Sequence, residues 1–300
     1  MKNLFLSIIT ISTVLVSCKN KETNNKPIVE INTEKTVQLK SPSFDLLWAT
    51  DTIFKTPESC FFDEKCNVIY VSNINNAPRT KDNNGFISTL STDGKLIKKE
   101  WVTGLSAPKG MDVFNEILYV SDIDAIVEID VHTGKILKRT ELAGALMLND
   151  ISINKETGVV YVSAMDTGKI YSFKNGKFTL WKDNFNKPNG VLVDGDCLLI
   201  ASVEDNTLKA FDINTKEEKE LIASNIGRAD GIVKLHSGNY VTSDWRGEVF
   251  RIKDNKPTSL FNSIENKKAQ TADIGSIPDK NIILVPTFFG NSVKAFQLKE

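Results

Sequence analysis

Tyr70-Val71-Ser72-Asn73, Tyr119-Val120-Ser121-Asp122, Tyr161-Val162-Ser163-Ala164, Leu199-Ile200-Ala201-Ser202 and Tyr240-Val241-Thr242-Ser243 are five copies of one short β-rich phrase, and Ile283-Leu284-Val285-Pro286 is a looser sixth. Each is followed by a second apolar alternation, such as Ala125-Ile126-Val127-Glu128-Ile129-Asp130 or Lys169-Ile170-Tyr171-Ser172-Phe173, and often by a turn such as Thr133-Gly134-Lys135. Paired alternating runs joined by Gly-bearing turns are hairpins. A period of about 40 residues, several short strands in each repeat and no long helical pattern predict an all-β fold, a six-bladed β-propeller of four-stranded blades.

Ahead of each phrase stands a second shared element: Pro57-Glu58-Ser59, Pro108-Lys109-Gly110, Leu148-Asn149-Asp150, Pro188-Asn189-Gly190, Ala229-Asp230-Gly231 and Ala272-Asp273-Ile274. The middle residues lie 51, 40, 40, 41 and 43 positions apart, and the polar insertion from Asn75 to Gly85 accounts for the longer first interval. The sixth blade runs out early, since Ser292 to Leu298 reads as its third strand. The segment Phe44-Asp45-Leu46-Leu47-Trp48-Ala49-Thr50 supplies the missing outer strand and closes the ring, which removes an exposed sheet edge.

In a propeller the innermost strand of each blade lines the central channel, so Glu58, Lys109, Asn149, Asn189, Asp230 and Asp273 are expected to converge there, with Asp150 adjacent. Taken singly, Asn-Gly and Asp-Gly are ordinary turn formers. Six polar side chains held in one register are a site. Glu58, Asp150, Asp230 and Asp273 bring a charge of -4 and Lys109 brings +1, so a divalent cation is the simple way to hold these carboxylates together in a narrow channel. Carboxylate and amide oxygens suit a hard ion, Ca²⁺ or another divalent cation; zinc prefers His or Cys. The chain's two histidines, His132 and His236, fall in inter-strand turns, which excludes a Ser-His-Asp triad and a His-rich metal centre at the channel.

The 300-residue chain has a formal net charge of -1, and no basic stripe marks a nucleic-acid surface. Near the N-terminus, Lys2 precedes an apolar run from Leu4 to Val16 that is too short to span a bilayer, and Leu15-Val16-Ser17-Cys18 resembles the lipobox of bacterial lipoproteins. The expectation is a signal peptide over 1–17, a polar tether over 18–43 with Cys18 lipidated, and a propeller over 44–300 held outside the cytoplasm in the bacterial cell envelope. The membrane would then be a partner through the Cys18 lipid. Cys18→Ser is expected to move the protein from the detergent fraction to the aqueous one; identical partitioning of variant and parent would remove the anchor from this account. Cys60, Cys66 and Cys197 leave an odd thiol, with a Cys60–Cys66 bridge and buried free thiols both open.

On Pro57-Glu58, Asn149-Asp150, Pro188-Asn189-Gly190 and Asp230-Gly231 the chain resembles the gluconolactonase, regucalcin and diisopropyl fluorophosphatase group over roughly residues 44 to 299. The resemblance implies a pore Ca²⁺ held by Glu58, Asn149, Asn189 and Asp230. It also implies hydrolysis of a sugar lactone or related ester, with Asp230 or Asp150 as base toward water and Lys109 steering the substrate. Departures bear on the substrate: Met147 stands where regucalcin-like members carry an Arg, Glu58-Ser59-Cys60 replaces Glu-Gly-Pro, and Lys109 occupies a position often uncharged. A non-enzymatic propeller that binds a protein or glycan around a structural ion, and a phosphotriesterase, are the competing expectations.

Overall fold

A computed structural model describes residues 43–299 of the chain. The expected signal peptide, the expected tether up to residue 42 and Cys18 lie outside the described residues. Those described form six four-stranded antiparallel sheets arranged as the blades of a β-propeller, with two single-turn 3₁₀ segments, Met165–Thr167 and Pro278–Lys280. The innermost strands are Pro57–Asp63, Pro108–Phe114, Leu148–Ile153, Pro188–Asp194, Ala229–Lys234 and the short Gly275–Ile277.

In five blades the sheet is built from consecutive strands; in the sixth, Phe44–Ala49 pairs antiparallel with Ser292–Leu298, Phe44 opposite Leu298. The two ends of the domain therefore share one sheet, and the N-terminal strand fills the place left by the early end of the repeat.

Alternating apolar side chains pack blade against blade. The interface of blades five and six, for example, buries Val233, Val241 and Val249 against Ile274, Ile283 and Val285. Equivalent clusters occupy the other blade interfaces, as with Ile126 and Leu148 between blades two and three. Since both faces of every blade are covered, its middle strands read as near-continuous apolar runs. Cys60, Cys66 and Cys197 are all free thiols, so the hairpin bridge does not form.

In four blades a serine of the repeated phrase has a structural task. Each of the first five inner strands carries a bulge just after its first residue, between Pro57 and Cys60, Pro108 and Met111, Leu148 and Ile151, Pro188 and Val191, and Ala229 and Ile232. A bulge leaves an amide outside the ladder and re-aims a side chain. The hydroxyls of Ser72, Ser163 and Ser243 accept those amides from Ser59, Asp150 and Gly231 at 2.9, 3.1 and 3.0 Å. Ser243 also donates to the Ala272 carbonyl of the next blade at 2.8 Å, and Ser121 donates to that of Asn149. The phrase thereby fixes both the bulge and the neighbouring blade's pore residue.

Candidate functional site

The bulges bring Glu58, Lys109, Asn149, Asn189 and Asp230 to the floor of one cavity of about 400 Å³ at the end of the channel where the inner strands begin. All five are buried. The sixth ring position is Ala272: Ser243 bonds its carbonyl as Ser121 bonds that of Asn149, and Thr271 bridges Thr287 as Pro57 pairs with Asn73. Asp273 is one residue further on, in the register of Asp150. Both line a second cavity, about 260 Å³, toward the other end of the channel. Sequence similarity of Ala272-Asp273 to Ala229-Asp230 placed Asp273 in the ring; hydrogen bonding places it below.

Asp150 Oδ1 accepts the Ile151 amide at 2.7 Å and Oδ2 the Val191 amide of the next blade at 2.8 Å. It therefore ties two blades together and is poorly placed as a base at the mouth. Asp273 accepts the Ser59 hydroxyl at 2.5 Å. The glycines beside the ring residues serve packing between strands, not turns: a Cβ on Gly190 would lie 1.9 Å from the Asp230 carbonyl oxygen, and one on Gly231 would lie 2.3 Å from Asp273 Oδ1.

At the mouth, Asn189 Nδ2 donates to Asp230 Oδ1 at 2.9 Å, while Asn189 Oδ1 and Glu58 Oε2 are buried without a partner. An unpaired buried acceptor is costly and calls for a donor or a cation. The Asn149 amide has only a long contact, 3.9 Å, to Met165 Sδ. Carboxylate and amide oxygens with two orphaned acceptors fit a hard divalent cation. No three His, Cys, Asp or Glu side chains among the described residues form a metal centre by themselves, so such a site depends on the two amides. Lys109 is fully buried and donates away from the carboxylates, to the carbonyls of Ala107 at 2.9 Å and Pro78 at 3.2 Å. Its ammonium still offsets part of the ring's negative charge.

Burial, then Asp230 and Asp273, hold the Glu58 carboxyl well above the usual carboxylate range, against the pull of Lys109. Burial and Asp273 raise Asp230, opposed by the Asn189 amide. Burial and Asp273 raise Asp150, and burial alone pushes Asp273 up to about 7. A carboxyl whose folded pKa exceeds its unfolded one stabilises the fold while protonated, and that stabilisation is lost as pH rises through the folded value. The cation-free domain is thus expected to lose stability through about pH 7, the raised value of Asp273. Protons and the cation compete for Glu58 and Asp230, so calcium is expected to raise Tm less as falling pH protonates these carboxyls, adding about 2.7 kcal/mol at 100 times its Kd where they are ionised. Glu58→Gln is expected to remove most of the rise. A purified protein that contains no metal and shows no thermal shift with calcium at any pH would exclude the cation.

The loop carrying Asn76, Pro78 and Arg79 borders the mouth. It is tied to the next two blades by Lys81–Asp124 at 2.5 Å and by the Arg79–Asp166 pair. His132 pairs with Glu116 at 3.7 Å on a separate surface that includes Phe61 and Lys155, and His236 sits in the turn after Ala229–Lys234, at the far end of that strand. Neither reaches the ring.

Two sets of mouth residues escape the motif reading yet follow its register. The residue after each second strand is Ile74, Ile123, Met165, Val203, Trp245 or Phe288, and all but Ile123 line the mouth. Two residues before Asn189 and Asp230 stand Lys187 and Arg228, which also line it. Extending each phrase by one residue in the first four blades and by two in the last two, and each ring element by one residue upstream, would have found both.

No family model matches the sequence, and no curated protein is recognisably similar to it. Among solved structures the fold is similar to a protein provisionally described as a gluconolactonase, at 13% identity over 87% of this chain and 94% of that one, with a TM-score of 0.64. It is similar to virginiamycin B lyase from Staphylococcus aureus, at 14% identity over 85% of this chain and all of that one, TM-score 0.62. A further structure of that lyase, holding quinupristin, is of a catalytically inactive variant in which a histidine is replaced by alanine; it matches with a TM-score of 0.57. At these identities the likeness is one of fold, and it places the chain among six-bladed propellers.

Proposed function

We propose that the protein is a hydrolase that opens a lactone or related ester at the Glu58–Asn149–Asn189–Asp230 ring, with a divalent cation, Ca²⁺ by the chemistry of the donors, as its cofactor. The observation that carries this reading is the pair of orphaned buried acceptors, Glu58 Oε2 and Asn189 Oδ1, on the floor of an open cavity. When bound, a divalent ion supplies Lewis-acid polarisation of the carbonyl.

The chain's own groups do the rest. Asn189 holds one oxygen of Asp230, which fixes the carboxylate plane and leaves the group positioned toward water in the cavity. Burial and the neighbouring Asp273 raise the pKa of Asp230 above the usual carboxylate range, the direction that makes it a stronger general base. Water gives a proton to Asp230 as its oxygen bonds to the carbonyl carbon; the ring C–O bond then breaks, and the alkoxide leaving group takes that proton from Asp230, which returns as the carboxylate. Lys109, fully buried and committed to two carbonyls, contributes positive potential rather than a proton. The mouth holds no histidine, so the lyase whose inactive form lacks one offers no direct template for this site.

Acid release from a panel of γ- and δ-lactones, with and without chelator, tests the proposal. Turnover of at least one lactone that stops on chelation is expected. A cation-loaded protein that opens none of them, or activity unchanged by complete metal removal, would leave a binding platform around a structural ion; turnover confined to phosphotriesters would reassign the substrate.

A further inference from the structure

Resting on the hydrolase reading, we propose that the mouth selects a lactone with an apolar, aromatic-sized body and a single carboxylate, and discriminates against polyhydroxylated sugar lactones. The residue that follows the second strand of each blade is apolar, and five of the six, Ile74, Met165, Val203, Trp245 and Phe288, line the mouth just outside the oxygen ring. Trp245 packs on Phe288 with ring centroids 4.8 Å apart, and Phe289, half-exposed, extends the same wall at 4.9 Å from Phe288.

A sugar lactone buried there would need a partner for each hydroxyl, since an unpaired buried hydroxyl weakens binding. The wall offers few. Arg79 is paired with Asp166, Lys187 with Glu204 at 2.6 Å, and Lys109 with two carbonyls. An apolar body gains about fourfold in affinity for each methylene-sized group that the wall takes out of water.

Arg228 supplies the polar exception. It lines the mouth, and its side chain makes no hydrogen bond or close ion pair with any described residue, acting on Glu204 only through longer-range attraction. Its carbonyl accepts the Trp245 amide at 3.0 Å, which sets the guanidinium's backbone beside the aromatic wall. A guanidinium presents a donor fork matched to a carboxylate. The oxygen floor, the aromatic wall and this one uncommitted cation together describe a ligand with an ester head, an apolar body and one negative charge.

The test compares three lactones, glucono-δ-lactone, γ-phenyl-γ-butyrolactone and its para-carboxyphenyl analogue, by kcat/KM. Binding of the three ring-opened hydroxy acids is measured in parallel by calorimetry. The phenyl lactone is expected to exceed the sugar lactone by about tenfold to hundredfold in kcat/KM, with the carboxyphenyl compound higher still and the hydroxy acids binding in the same order. Trp245→Leu and Phe289→Ser are each expected to shrink the aryl-to-sugar ratio; the second changes a half-exposed side chain and so keeps the test valid if the first fails to fold. Arg228→Met is expected to cost about tenfold to hundredfold for the carboxylated compound alone. Equal or better turnover of glucono-δ-lactone would overturn the inference and leave the hydrolase reading standing. Aryl hydroxy acids that bind in the expected order while no lactone is opened would overturn the hydrolase reading and keep the ligand class. Failure of all three acids to bind would overturn the inference.

Discussion

Asp230→Asn is expected to lower kcat for any lactone the protein opens by about 10² to 10⁴, the usual cost of losing a positioned general base. The substitution keeps size and shape. It also keeps an oxygen that can accept from Asn189, 2.9 Å away in the parent, so the ring geometry is expected to survive. What is lost is a negative charge and a proton acceptor. Lys109→Met provides the contrast: it removes a buried ammonium bonded only to the Ala107 and Pro78 carbonyls, and is expected to act mainly on KM for anionic substrates. The cation complicates Asp230→Asn, because a weakened site would also lower kcat through occupancy. Assaying both variants across a calcium titration separates the effects: a loss that saturating calcium restores belongs to binding, and one that persists belongs to proton transfer. Turnover of Asp230→Asn within a factor of about three of the parent at saturating calcium would remove Asp230 as the base.

The fold was legible because a propeller states its plan six times. Tyr70-Val71-Ser72 and its copies give the strands, and the strict spacing of Lys109, Asn149, Asn189 and Asp230 gives the register of the pore. The site was legible only as far as that register could be carried. At the sixth blade, Ala272-Asp273 repeats Ala229-Asp230, yet the Ser243 hydroxyl selects the Ala272 carbonyl, and Asp273 falls one residue deeper. With Ala272 in the ring the last interval becomes 42, closer to the preceding 40, 40 and 41. The apolar second ring was written one residue beyond the phrase in the first four blades and two beyond it in the last two, where Asp244 and Thr287 intervene. The Arg79–Asp166 and Lys81–Asp124 ties were not legible, since they join a loop insertion to blades that share no spacing rule with it.

Phe44→Ala is expected to cost about 3–5 kcal/mol of unfolding free energy, the range for emptying a large aromatic side chain from a packed core. Phe44 is 6% exposed although it opens the outermost strand of its blade. Its ring meets Phe296 of its own blade edge-on at 5.4 Å and Phe261 of the preceding blade at 5.6 Å. The residue is therefore the point at which the closing strand grips two blades, and cavity formation is added to the loss of two aromatic pairs. The expected size has an upper limit. If the Phe44–Ala49 strand can detach before the rest unfolds, the measured loss saturates at the free energy that docks that strand, and the freed edge of Ser292–Leu298 becomes a site for intermolecular pairing. Urea unfolding with a parallel aggregation measurement distinguishes these routes: a lower midpoint with an unchanged m-value marks global destabilisation, and a lower m-value with aggregation marks release of the strand. Leu47→Ala, in the same strand at 47% exposure, is expected to change stability by no more than about 0.5 kcal/mol. A Phe44→Ala loss below about 1 kcal/mol, comparable to that control, would mean that the first strand does not hold the ring closed.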